Sequence, residues 1–413
     1  MRAWCTKKAI FFIAVMIILL LLYNAAKTVK DSHQIISNHE RVSSRKSVVE
    51  LQTVVNSAVR ENVTSKDNIK YILQWTLPHN VPFVYMGKGH EGFISRGCPF
   101  TNCFVTADRN YLGDYTKFDV IAFAGPEVVR YNKNQLPQNR SPHQKYTFAS
   151  IESSDNYPAC SNLLNGFFNW TWTYKLDSEI RWGYMVIRDK NKNIVGPNKE
   201  MHWLKLEDME PVSEDFKQNL RTKTKAAAWF VSNCYSRSRR STVAKKLHEE
   251  LQNKYNLSVD VFGSCGQFSC SRDNDENCDN LIKKDYYFYL SFENSFSEDY
   301  VTEKLVRALN FNAVPIVYGG ANYTRFMPDG IYLDARKMSI EELAAKMNEL
   351  INDPEKYAEY FKWKNHYTYH GQHESVHTLP YCLFCTQLNN EEMVKNTTIY
   401  QDFKNWWTPP GRC

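Results

Sequence analysis

The sequence predicts an α/β protein built on parallel, Rossmann-like sheets, and three observations carry this: a β-α-β pattern occurring twice in succession, a length that calls for two domains, and an apolar N-terminal run set apart from the rest. Residues 226–231 form a buried-strand pattern. Val243, Leu247 and Leu251 then recur at helical spacing, and 257–262 is again strand-like. The pattern repeats with a strand over 286–292, a helix face of Val301, Leu305, Ala308 and Leu309, and a strand over 314–318 that ends in Gly319-Gly320. Right-handed crossovers of this length give a parallel sheet. Residues 339–351 continue as helix, and Pro354 starts another. Upstream, short strand-like runs at 81–86, 120–124, 146–151 and 167–174, separated by polar loops, indicate an α/β or mixed domain. A chain of 413 residues exceeds one ordinary core, so two domains are expected.

The N-terminus reads differently. Residues 9–26 are almost unbroken apolar sequence behind Arg2, Lys7 and Lys8, which predicts a short membrane helix with residues 1–8 cytosolic and everything after Lys27 on the far side. A cleaved signal peptide is the alternative, although Asn24-Ala25-Ala26 matches a cleavage site only loosely. So short a span suits the thinner bilayers of the early secretory pathway. Residues 27–70 are polar, without Trp, Phe or Gly, and read as a stem. Val48, Leu51, Val55 and Ala58 in it make either a short seam between two stems, hence a homodimer, or an isolated helix or disorder. The remaining boundaries divide the chain into a first domain (71–215), a second (216–372) and a tail (373–413).

A luminal location agrees with the cysteines, ten of the eleven of which follow the apolar run, and with sequons at Asn62, Asn139, Asn169, Asn256, Asn322 and Asn396. The net charge of +6 is spread along the chain, which excludes a nucleic-acid partner and favours a small anionic ligand. The 25 Tyr and 10 Trp supply surfaces that stack on sugars and bases.

The densest constellation is Ser291-Phe292-Glu293-Asn294 followed by Asp299-Tyr300-Val301-Thr302-Glu303-Lys304. It lies at a strand end and a helix N-terminus, where amide groups and the helix dipole receive a diphosphate, Lys304 adds positive charge, and Glu293 and Glu303 can accept hydrogen bonds from ribose or sugar hydroxyls. The absence of a Walker loop and of GxGxxG argues against an ATPase or a dinucleotide dehydrogenase. Asp273-Asn274-Asp275 reads as a solvated turn, not as a metal-binding pair. His373-Glu374-Ser375-Val376-His377 fits the HExxH zinc-protease signature, although Gly371 and Pro380 leave little room for the helix it needs. Cys382 with Cys385, and Cys98 with Cys103, are expected as short disulfides; the other luminal cysteines cannot be paired from sequence.

Tyr289-Leu290-Ser291-Phe292-Glu293-Asn294-Ser295 with Asp299 to Lys304 resembles the donor-binding signature of the α1,3-fucosyltransferases, glycosyltransferase family 10. Val314-Pro315-Ile316-Val317, Asn322-Tyr323 and Phe326-Met327-Pro328 continue the likeness. Phe168-Asn169-Trp170-Thr171 and 174–180 resemble the family's acceptor-domain block, and the cysteine spacing over 97–103 and 263–278 is similar to invertebrate members. The resemblance implies the GT-B arrangement, two Rossmann-like domains facing across a cleft, and an inverting transfer of L-fucose from GDP-fucose to a GlcNAc hydroxyl of an N-glycan, core or antennal. It further implies a single-pass Golgi membrane protein with a luminal catalytic domain. Asn294, Tyr300, Glu303 and Lys304 match donor-contacting positions. Arg240 is similar to the arginine that faces the diphosphate, with Arg239 leaving the register open by one residue. Glu152 matches the general base. No cofactor is required on this reading, because Lys304 and Arg240 supply the charge that a metal supplies elsewhere; stimulation by a divalent cation stays open. The family's Glu-Ser-Pro is Glu-Ser-Ser here, which removes a backbone constraint beside the base. A non-catalytic glycan-binding relative is the remaining alternative.

Overall fold

The computed structural model describes residues 68–77, 84, 86–269 and 275–413. Residues 9–26, the stem up to 67, Asn62 and the Asp273-Asn274 turn lie outside them, as does most of the strand expected at 81–86. Among the described residues no helix is long and apolar enough to cross a membrane.

β-branched and aromatic runs in the first half of the chain form β1 (Lys70–Gln74), β2 (Cys103–Thr106), β3 (Val120–Ala124), β4 (Lys145–Ser150), β5 (Trp170–Thr173) and β6 (Ile180–Arg181). They pair in parallel in the order β2-β1-β3-β4-β5-β6. β3 and β4 are buried along their whole length, as parallel strands covered on both faces must be. The end of the chain provides much of that cover. Tyr381, Phe384 and Leu388 of the Pro380–Leu388 helix pack with Ile72, Val120, Ala122 and Trp172. Phe403 and Trp407 pack with Leu73, Ile121, Phe123 and Phe148, the residues of opposite parity. The 373–413 tail thus returns to complete the first core.

Disulfides fix that return. Cys98 bonds to Cys382 and Cys103 to Cys385, so the two short closures expected from sequence are replaced by two long ones. Cys382 and Cys385 share one helical turn and present their sulfurs to Cys98, in the loop before β2, and to Cys103, at the start of β2, instead of to each other. Cys160 bonds to Cys413, and Cys234 to Cys265.

The second sheet comprises β9 (Lys225–Phe230), β10 (Val259–Phe262), β11 (Tyr286–Phe292), β12 (Val314–Tyr318) and β13 (Leu333–Asp334), all parallel in the order β10-β9-β11-β12-β13. The Arg240–Tyr255 helix joins β9 to β10, and the Glu303–Asn310 helix joins β11 to β12. Because the chain leaves β9 toward one edge and β11 toward the other, a crevice opens at their C-terminal ends, the place where such sheets bind ligands. A third, antiparallel sheet that the sequence reading did not contain is ordered β14-β7-β8, from β7 (Met185–Asp189), β8 (Ile194–Gly196) and β14 (Tyr367–Gly371).

Candidate active site

Two loops build the site, one from each parallel sheet. The first follows β4 and carries Glu152. Tyr184 donates its hydroxyl to the Ile151 carbonyl at 2.8 Å, and the Ser150 hydroxyl donates to the carbonyl of Glu152 at 3.0 Å. The Ser154 N–H donates to the Tyr174 hydroxyl at 2.8 Å. A proline at 154 could not make that bond, so the loop that loses the family's ring constraint is held by a hydrogen bond instead. Burial pushes the Glu152 carboxyl above the ordinary glutamate range; Lys304 pulls it down and Glu303 pushes it up.

The second loop follows β11. Glu293 is 1% exposed, and its carboxylate accepts the Thr302 N–H at 2.9 Å and the Thr302 hydroxyl at 2.9 and 3.0 Å, with Lys304 Nζ at 3.3 Å. It therefore braces the loop from within, because the sharp turn brings Thr302 back over the strand end. Thr302, whose hydroxyl is on Glu293, gives the Glu303–Asn310 helix no side-chain cap. Its N-terminal dipole is thereby left for an anion. Lys304 Nζ also reaches the Thr302 hydroxyl at 2.7 Å and exposed Glu303 at 3.0 Å. Burial opposes the charge on Lys304, but Glu293 and Glu303 outweigh it and raise its pKa. Crowding by the surrounding protein opposes ionisation of the Glu303 carboxyl even though its side chain still reaches solvent, and Lys304 outweighs that, lowering its pKa.

The remaining candidates take varied positions. Asn294 is half-buried; its carbonyl accepts the Ser238 N–H at 3.1 Å. Tyr300 is 3% exposed, edge-on to Tyr174 and Tyr184. Arg239 is exposed, with a left-handed φ of 53°, while Arg240 is buried and donates to the carbonyls of Phe292 at 2.7 Å and Asn233 at 3.2 Å. Its Nε has no partner.

The two loops are joined directly. Ser153 and Ser297, both buried, share a hydroxyl hydrogen bond of 2.7 Å, and the Asp155 N–H donates to Ser297 Oγ at 2.9 Å. Asp299, at φ 59°, accepts from Arg325 at 2.8 Å, Lys199 at 2.8 Å and the Leu176 N–H at 3.1 Å. Glu298 beside it meets the same two cations; burial would raise its carboxyl, but hydrogen bonds from Lys199 and Arg325 hold it at about 2. Sequence reasoning missed Ser153, Ser297 and Tyr184 as site residues: Ser153 lies within Glu-Ser-Ser but nothing local shows that it faces Ser297, and the other two carry no motif of their own.

The HExxH match does not form a metal site. Residues 372–378 are turns, not helix; Glu374 pairs with Arg188 at 2.7 Å and His370 at 3.0 Å. Among the described residues no cluster of three or more His, Cys, Asp or Glu side chains is arranged to hold a metal ion. Of the described sequons, Asn139, Asn256, Asn322 and Asn396 are exposed. Asn169 is 6% exposed, with its amide oxygen on the Tyr146 N–H at 3.0 Å and its amide nitrogen on the Thr398 carbonyl at 3.1 Å, leaving no room for a glycan in this fold.

Comparison with known proteins supplies the context. Residues 67–185 match the model "Fucosyltransferase, N-terminal", and residues 220–406 match "Glycosyltransferase family 10 (fucosyltransferase) C-term". The chain is 36% identical over 317 residues to alpha-(1,3)-fucosyltransferase C of Drosophila melanogaster, covering 75% of this chain and 70% of the relative. It is 32% identical to human 4-galactosyl-N-acetylglucosaminide 3-alpha-L-fucosyltransferase FUT6, covering 81% of this chain and 83% of the relative. A crystal structure of an alpha1,3-fucosyltransferase with GDP-fucose aligns over 81% of this chain and 92% of its own, at 15% identity and a TM-score of 0.45.

Proposed function

Since the chain belongs to glycosyltransferase family 10, the fucosyltransferases, we propose that it is an inverting α1,3-fucosyltransferase that moves L-fucose from GDP-fucose to the 3-hydroxyl of a GlcNAc on an N-glycan. One observation carries this reading: a half-buried carboxylate with a raised pKa, Glu152, is fastened to the loop that ends in Thr302-Glu303-Lys304. The relatives' names supply the sugars: the human relative's describes a 3-fucosyltransferase for an N-acetylglucosaminide.

The two sheets would act as the halves of a GT-B enzyme. The diphosphate would lie against the N-terminus of the Glu303–Asn310 helix, with Lys304 as its cation and the Arg240 Nε at the strand ends. Glu152 takes the proton from the acceptor hydroxyl as its oxygen attacks the fucosyl C1 on the face opposite the phosphate. The C1–O bond breaks, its electron pair leaves on GDP, and the configuration at C1 inverts. Helix dipole and Lys304 stabilise the negative charge that grows on the leaving diphosphate. Glu303 and Asn294 would contact the donor's sugar portions, while Tyr300 shapes the wall behind them.

Residues 1–8, 9–26 and 27–70 would serve as cytosolic tail, Golgi membrane anchor and stem, with 71–215 on the acceptor side and 216–372 on the donor side. The test uses the full-length protein in detergent with GDP-fucose and defined N-glycans. Transfer by the wild type, lost in Glu152→Gln with GDP binding retained, is the expected result. Turnover by Glu152→Gln would remove the base assignment, and binding without turnover by the wild type would favour the non-catalytic glycan-binding alternative.

A further inference from the structure

A cavity of about 230 Å³ lies between β6, the β7-β8 hairpin and the segment that enters the Pro380–Leu388 helix. Its lining is chiefly apolar, including Met185, Val186 and Leu383, and it is smaller than the roughly 300–1,000 Å³ of sites that enclose a whole drug-sized ligand. It therefore suits one substituent of a larger molecule. Tyr174 and Tyr184 form part of the wall, and these are the tyrosines whose hydroxyls hold the loop on either side of Glu152.

One polar atom in the wall is unsatisfied. Gln372 is 6% exposed, and its amide nitrogen donates to the Arg181 carbonyl at 3.0 Å, which fixes the orientation of the amide. Its Oε1 has no hydrogen-bond partner and stands 3.6 Å from where a Cβ on Gly183, another lining residue, would sit. Of the other polar groups of the lining, Arg181 is engaged with the carbonyls of Pro197 and Leu176, Asp299 with Arg325 and Lys199, and Thr378 with Ser375, while His377 is exposed to solvent. A buried acceptor without a donor is costly, so the cavity asks for a neutral N–H or O–H carried by a group that is otherwise apolar. An acetamido group offers both, its N–H to Oε1 and its methyl to the apolar wall. An ammonium would be desolvated beside a carboxylate, Asp299, that two cations already neutralise, and a bare hydroxyl would leave the apolar wall uncovered.

We propose that this cavity receives the acetamido group of the acceptor GlcNAc and so selects N-acetylated over unmodified sugars. The proposal rests on the reading of the chain as a fucosyltransferase acting on GlcNAc.

The experiment uses full-length wild type, Gly183→Val, which fills the space before Oε1, and Gln372→Met, which removes the acceptor. Each is assayed with GDP-fucose and two acceptors that differ only in acetamido against hydroxyl at C2. The wild type is expected to favour the acetamido acceptor about 10-fold or more in kcat/KM, as one small group in a fitted pocket does. Both variants are expected to bring that ratio within about 2-fold while the KM for GDP-fucose, which also reports an intact fold, stays unchanged. A variant with normal KM for GDP-fucose and the full wild-type ratio overturns the proposal. Wild type that transfers to neither acceptor overturns the underlying activity instead, which is a different result.

Discussion

Replacing Lys304 by Met separates what this residue does for the fold from what it does for the donor. Glu293 is 1% exposed and Lys304 is the cation beside it, 3.3 Å away, while burial already pushes the Glu293 carboxyl up and Lys304 is what pulls it back. Removing one member of a buried pair costs about 3–5 kcal/mol, because the other is left as an unpaired charge. Glu293 escapes that penalty by taking up a proton. With its folded pKa raised above the unfolded value of about 4.3, both states are protonated at low pH and little is lost; the deficit grows as pH rises through the folded pKa. Urea unfolding of Lys304→Met should therefore show a stability loss of about 3–5 kcal/mol at pH 8 that shrinks markedly toward pH 5. Adding Glu293→Gln should restore most of the loss at pH 8. Calorimetry should show GDP binding weakened about 10- to 100-fold in both variants, the equivalent of one charge-assisted hydrogen bond of about 1.5–3 kcal/mol. Equal losses at the two pH values, or GDP affinity recovered along with stability in the double variant, would refute the reasoning.

Three further outcomes are expected. The acidic limb of kcat/KM should lie above the ordinary glutamate range, since Glu152 works only when ionised and burial raises its pKa; a limb at or below pH 4 would count against it as the base. Ser154→Pro, which restores the family's usual residue but deletes the 2.8 Å bond to Tyr174, should lower unfolding free energy by about 1–2 kcal/mol and kcat more than the KM for GDP-fucose; a stabilised enzyme would show that the ring constraint outweighs the bond. The Cys98–Cys382 and Cys103–Cys385 bridges span 284 and 282 residues and constrain nearly the same loop, so replacing both cysteines of one bridge by Ser should cost about 2–3 kcal/mol, and replacing all four about 8 kcal/mol; a four-cysteine loss of only twice the single-bridge value would disprove the shared constraint.

Local pattern made the second sheet readable. β11 and β12 fall on the expected 286–292 and 314–318, because buried parallel strands are continuous apolar runs bounded by polar turns. The same clarity put Thr302-Glu303-Lys304 at a helix start. Long-range geometry was not readable: nothing near Cys382 indicates that its partner is Cys98, and nothing near Phe403 or Trp407 indicates that they lie under β3 and β4. β6, β8 and β14 are edge strands, and β7 lies between β8 and β14, so its pairing with β14 depends on a segment far along the chain. Glu293 shows the limit within a motif: its place in the signature was evident, but its inward direction depends on how the loop closes on Thr302. Ser153 and Tyr184 were invisible for a similar reason, since a serine and a tyrosine acquire their roles only from what lies opposite them.

Because the last turns of the polypeptide seal both faces of its first sheet, that sheet cannot mature as it emerges from the ribosome. Cys98, Cys103 and Cys160 wait for partners 284, 282 and 253 residues downstream, a delay on the order of tens of seconds at ~5–20 residues per second of synthesis. Through that interval the nascent half carries naked apolar strands and unmatched thiols, so biogenesis of this protein depends on helpers that shield the one and keep the other from premature partners. Even a small truncation at the carboxyl end would be felt as a failure of the amino-terminal half to fold.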